Sequence, residues 1–288
     1  MNTRNLITHT GKDLIKILDE EINDLHKYFS NLSPALFSKS SSADGWTNAD
    51  VLSHITMGAL SYHMYLSRAL EGMLDPPEGL PSPKKGYLQP DVSTTILEST
   101  TQLKYDNVST LIDMFGANCN KLHVLLSTIG DDEWDKPVYH RLGNTTVRGL
   151  LLYRISEVCL HAWDIKSSIE SIPRLHPRTI HPLLERVPGW LDWVFKPGYT
   201  KGNRSACYHY HVIGPVTTFW EITIAEDSFI ILDKPSANPT LTFESDSQTA
   251  ILFLAGRLKA DKLIKEHLLT VKGTEENLGV FQQSYTSI

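Results

Sequence analysis

The chain has 288 residues, with 27 Lys and Arg against 33 Asp and Glu, a formal net charge of −6 and 41% hydrophobic residues. That composition supports one large core or two ordinary ones and excludes wholesale disorder. No basic run exists, so nucleic acid and anionic membranes lack electrostatic support as partners and a small molecule is expected instead.

The three cysteines, Cys119, Cys159 and Cys207, are far apart and odd in number. That suits a reducing compartment better than a disulfide framework. MNTRNLITHTGKDL has no hydrophobic signal core, and no apolar run approaches the ~18 residues of a membrane span. A soluble cytoplasmic protein is expected, with its oligomeric state open.

In chain order, Leu14, Leu18, Ile22, Leu25 and Phe29 recur at three- and four-residue steps and predict a first helix, followed by the loop SPALFSKSSSADG. A second helix starts at TNADVLSHI, where Thr47 and Asp50 have the spacing of a capping box. Its apolar positions include Val51, Ile55, Tyr62 and Ala69. The stretch DPPEGLPSPKKGYLQP breaks any helix and reads as a long surface loop. A third helix is predicted over about 92–128 through Ile96, Leu103, Leu111, Phe115, Cys119, Leu122 and Leu126, and a fourth over about 146–170. Four amphipathic helices of this length predict a four-helix bundle over residues 1–172.

Residues 173–204 read as a connecting segment with a helical piece near Leu183–Trp193. From Tyr208 the period shifts toward two, in HYHVIG, TTFWEITIAED, SFIILDK and PTLTFES. Helical segments follow at SQTAILFLAGRL and TEENLGVFQQSY. Residues 205–288 are therefore expected to form a small α+β domain, and the whole chain falls in the α+β class.

The fourth helix carries the chemistry. Val147, Leu151, Ile155, Val158, Ala162 and Ile165 fall on one stripe, and Arg154, Glu157, His161 and Asp164 form a second stripe beside it. The polar set thus borders a buried seam, where bundles build metal and ligand sites. Such groups cost several kcal/mol each to bury unless they are paired or bound to a metal. Glu157 and His161 are neighbours four residues apart on one face, spaced to converge on a metal ion. His54 flanks the apolar stripe of the second helix in the same way and is the natural third ligand. Two His and one carboxylate leave coordination positions for a reactant, as in catalytic zinc sites. Asp164 would orient a ligand. Arg154 would balance Glu157 or hold an anionic substrate group.

The bland reading of the same residues is a buried Arg–Glu–Asp network around a hydrogen-bonded histidine. His209 and His211 alternate to one side of a strand, and without a third partner in sequence they read as ordinary strand positions. Cys159 points away from the Glu157/His161 face and reads as a buried thiol.

WTNADVLSH, followed about 100 residues later by RISEVCLHAWDI, resembles the DinB-like metal-binding superfamily, and more closely the mycothiol-dependent maleylpyruvate isomerase family. His54, Glu157 and His161 stand at that family's His, Glu and His metal positions, and Trp46 matches the tryptophan before its first motif. The tail TLTFESDSQTAILFLAGRLKADKLIKEHLLTVKG resembles the family's sterol-carrier-like C-terminal domain, with its G-R element at Gly256 and Arg257. The resemblance implies a divalent metal, typically zinc, a low-molecular-weight thiol such as mycothiol, and isomerisation of, or S-transfer to, a small electrophile.

Arg257, with Arg154 as a second candidate, would grip a substrate carboxylate, while a helix-end role satisfying carbonyls is the alternative for Arg257. Three other readings stay open. They are a metallohydrolase using bound water, an Fe(II) enzyme on the same ligand set, and a non-enzymatic binding protein whose cavity Trp190, Trp193 and Trp220 would line.

Overall fold

A computed structural model of the chain describes residues 8–83, 103, 106–194, 205–225 and 228–284. Four long helices come first: α1 (Gly11–Ser30), α2 (Asn48–Leu70), α3 (Val108–Leu126) and α4 (Val147–Ser167). Each starts on a polar side chain that satisfies an otherwise orphaned amide. Thr47 and Asp50 form the capping box that TNAD predicts, and Thr10 with Asp13 forms another at α1. Asn107 accepts from the Thr110 amide at 3.1 Å, and Thr146 from the Gly149 amide at 3.1 Å.

Asn107 has an extended backbone (φ −160°, ψ 171°), so α3 starts at Val108 rather than near residue 92. The periodicity upstream did not register that cap. Residues 92–102, including Ile96, lie outside the described residues.

α1 packs on α3 and α4, and α2 packs on the same two helices, which makes the four-helix bundle. The apolar stripes supply its core: Leu14, Leu25 and Phe29 from α1, Val51 and Ile55 from α2, and Leu111 and Phe115 from α3 are all buried. α4 is the most enclosed of the four. Fourteen of its twenty-one residues are buried, including Ser156, Leu160 and Trp163 opposite the predicted stripe. A short hairpin, β1 (Pro137–Val138) with β2 (Thr145–Thr146), leads into α4. Two-residue strands carry no alternation that a sequence pattern can register.

Helix α5 (Pro177–Val194) is longer than the predicted piece. Its first turn is tied to α1 by Arg178, which donates to Glu21 at 3.1 Å and pairs with Asp24. The chain divides into two compact units at Leu183, inside this helix.

The C-terminal unit is built on a five-stranded sheet of β3 (Ala206–Val212), β4 (Thr218–Ala225), β5 (Ser228–Leu232), β6 (Leu241–Ser245) and β7 (Leu269–Lys272), in the order β5-β4-β3-β6-β7. Only the β3–β6 pair is parallel. Helices α6 (Ser247–Leu254), α7 (Ala260–Lys265) and α8 (Glu275–Gln283) complete it. α7 and β7 were not predicted, because six and four residues are too short to show a period.

Alternation along β3 sends Tyr208 and Tyr210 to one face, where Phe243, Phe253 and Phe281 form the core. Phe281 lies 4.9 Å from Tyr208 and 4.7 Å from Phe243 between ring centroids. Cys207, His209 and His211 take the other face. Trp190 and Trp220 are buried at 1% and 3% exposure, which gives both a core role, and the side chain of Trp193 lies outside the described residues.

Candidate metal centre

The loop before α2 is tied down at several points. The Ser42 amide donates to the Asp164 carbonyl at 3.1 Å, and Asn48 Nδ2 donates to the Leu36 carbonyl and to Ser168 Oγ, both at 2.9 Å. These bonds fasten the start of α2 to the end of α4 and bring Trp46 over the polar stripe. Trp46 stacks parallel to His161 at 6.4 Å between ring centroids and meets His54 edge-on at 5.3 Å.

His54 and His161 are themselves 4.7 Å apart, ring to ring, and His54 Nε2 lies 3.3 Å from Glu157 Oε1. Residues more than a hundred positions apart in the chain thus come together on the α2–α4 seam. Their side chains keep 12% (His54), 16% (Glu157) and 18% (His161) exposure, so the group is enclosed yet reachable.

Behind this group stand Arg154 and Asp164, both essentially buried. Arg154 donates Nη1 to Glu157 Oε2 and Nη2 to the Ile55 carbonyl, each at 2.8 Å. Burial works to raise the Glu157 carboxyl, but the His54 hydrogen bond and the Arg154 charge overcome it and hold the group well below the usual carboxylate range. Burial lowers His54 below its ordinary value against the opposing hydrogen bond of Glu157, which favours the neutral ring at pH 7. Asp164 Oδ2 lies 3.0 Å from His161 Nδ1. A carboxylate there calls for the proton on Nδ1 and leaves the Nε2 lone pair for a ligand.

Gly58 completes the arrangement. A Cβ at this position would stand 2.8 Å from Arg154 Nη1 and 2.9 Å from both Glu157 oxygens. Only a residue without a side chain lets α2 approach Glu157 so closely.

The residues present fit a divalent metal of the zinc class. The donor set is two imidazoles and a carboxylate, one imidazole is neutral and the other is oriented from behind, and the carboxylate is ionised.

Of the predicted site residues, His54, Arg154, Glu157, His161 and Asp164 are brought together. The geometry of Arg154 balances Glu157. Its two bonded nitrogens are spent there and on the Ile55 carbonyl, at 0% exposure. Arg257 lies in the C-terminal unit and donates Nη1 to the Ala255 carbonyl at 3.1 Å, a bond of the helix-end kind. Gly256 before it closes α6 at φ +75°.

Arg141 was missed. It sits in the β1–β2 turn, half-buried, between the anchors Tyr139 and Gly143, whose hydroxyl and amide bond Pro81 and His140. Its charge is felt at His54, Tyr62 and Tyr65, while no hydrogen bond or ion pair among the described residues engages its guanidinium. Nothing in HRLGN signals this, because a loop residue shows no period.

His209 sits on β3 as a strand position. Cys207 and Glu221 lie close to it, with the donor atoms of all three within 4.8 Å of one another.

A capped four-helix bundle with a His, Glu, His set on its seam, followed by a small α+β unit, defines a DinB-like helical domain with an appended sheet domain. The chain belongs to the family of the mycothiol maleylpyruvate isomerase N-terminal domain, whose model matches residues 18–166. Among solved structures, a mycothiol-dependent maleylpyruvate isomerase is similar at 15% identity and a TM-score of 0.58, over 88% of this chain and 94% of that one. A histidine-to-alanine mutant of the mycothiol-dependent maleylpyruvate isomerase is similar at 14% identity and a TM-score of 0.60, over 92% and 96% of the two chains. These likenesses speak for the fold. No curated protein matches significantly by sequence. Among the described residues, no helix is long and apolar enough to cross a membrane.

Proposed function

We propose that the chain is a metal-dependent enzyme that uses a low-molecular-weight thiol, of the mycothiol type, for S-transfer to, or cis-trans isomerisation of, a small carboxylate-bearing electrophile. The observation that carries this reading is the meeting of His54, Glu157 and His161 on the α2–α4 seam, with Asp164 behind one ligand and Arg154 behind another. When bound, zinc supplies the Lewis acidity that keeps a coordinated thiol ionised near neutral pH.

The chain's own residues do the rest. Asp164 holds the His161 ring in one tautomer, and Arg154 keeps Glu157 ionised in a buried setting. Trp46 walls the two imidazoles and limits water. Arg141, which makes no hydrogen bond or ion pair among the described residues, would take a substrate carboxylate. Family membership supports the thiol-dependent isomerase class over a hydrolase or an Fe(II) enzyme.

Two measurements test the reading. Zinc content by elemental analysis is expected to fall by about one equivalent per chain in His54→Ala and in His161→Ala. Consumption of cis-unsaturated carboxylates is expected only with both metal and added thiol. A wild-type protein isolated with no transition metal, or turnover that ignores thiol, overturns it.

A further inference from the structure

The C-terminal unit holds a second set of donor atoms. Cys207 and His209 are two residues apart on β3 and share a face, and Glu221 on β4 pairs directly across from His209. His209 Nε2 lies 3.1 Å from Glu221 Oε2, and the Cys207 thiol completes a set whose donor atoms all lie within 4.8 Å of one another. The three side chains are buried, with Glu221 at 1% exposure and Cys207 and His209 at 8% each. From this geometry we infer a second metal site, built by Cys207, His209 and Glu221, that takes a zinc-class divalent ion.

Charge supports the assignment. A buried carboxylate needs a compensating positive charge, and among the described residues no lysine or arginine pairs with Glu221. A neutral imidazole, a thiolate and a carboxylate carry two negative charges, which one divalent ion cancels. On binding, the Cys207 S–H bond breaks, its proton goes to solvent and a sulfur–metal bond forms. The carboxylate is already aimed. The amides of Ser236 and Ala237 donate to Glu221 Oε2 at 2.7 and 3.2 Å, and the Ser236 hydroxyl donates to Oε1. Such outer partners orient metal-bound carboxylates. The site would clamp β3, β4 and the Ser236–Ala237 turn together.

This site is distinct in chemistry from the bundle set, which contains no sulfur. That difference supplies the test. Full-length protein is stripped with chelator, reloaded with cobalt(II) in thiol-free buffer, and read for a sulfur-to-cobalt charge-transfer band in the near ultraviolet. The band is expected in wild type and in His161→Ala, and in the Cys119→Ser/Cys159→Ser variant, where Cys207 is the remaining thiol. It is expected to be lost in Cys207→Ser and weakened in Glu221→Gln. Absence of the band from wild type, or its survival in Cys207→Ser, overturns the inference and leaves His209 and Glu221 as an ion pair that pins the turn.

Discussion

Glu157 sits where burial, ionisation and ligand geometry conflict, and its neighbours resolve the conflict. Arg154 supplies the charge, His54 the hydrogen bond, and Gly58 the space. Gly58→Ala would force the new Cβ against groups already held by the Ile55 carbonyl and by His54. Overpacking of this kind costs about 1–3 kcal/mol. A lowered melting temperature and weakened zinc retention are both expected, read by calorimetry and by competition with a chelating dye. Asp164→Asn tests the support behind His161. The isosteric amide keeps the shape and loses the charge that fixes the tautomer, so zinc affinity should fall about 10- to 100-fold with little change in fold. Unchanged affinity would remove Asp164 from the site.

At the scale of elements, α4 is the hub and α5 is a strap. The first turn of α5 reaches α1 through Arg178, whose partners are the buried Glu21 and the exposed Asp24. Arg178→Ala leaves a buried acceptor unsatisfied, at a cost of about 1–3 kcal/mol in urea unfolding.

The pH dependence of that difference follows from Asp24. The hydrogen bond from Arg178 holds its carboxyl below the usual 3.8. A depressed folded-state pKa stabilises above the unfolded value and loses that contribution as pH falls through the folded one. The gap between wild type and Arg178→Ala should therefore narrow below about pH 4.

For the molecule as a whole, a metal bound as proposed would act on stability through ligand linkage. An ion at 100 times its dissociation constant stabilises the folded state by about 2.7 kcal/mol. For a unit of this size that corresponds to roughly 5–10 °C in melting temperature. Chelation should remove that increment, and His161→Ala should abolish the share owed to the bundle. A melting curve indifferent to chelator in wild type would mean that neither site holds metal.

Periodicity and caps determined much by themselves. The stripes of α1, α2 and α4, the Thr47–Asp50 box and the switch to period two near Tyr208 all lie in residues close in sequence, where local geometry is encoded. The pairing of Glu157 with His161 is legible for the same reason, since four residues make one turn. His54 was reachable because it flanks a stripe and because the motif pair resembles a family.

Only the tertiary structure decided the rest. Arg141 bears on His54 from a turn without a period, and Gly58 matters through atoms contributed by another helix. Cys207, His209 and Glu221 meet because β3 and β4 pair in one register, and a shift of a single residue would send Glu221 to the opposite face. Contacts across strands and between helices depend on chain folding that no local pattern records.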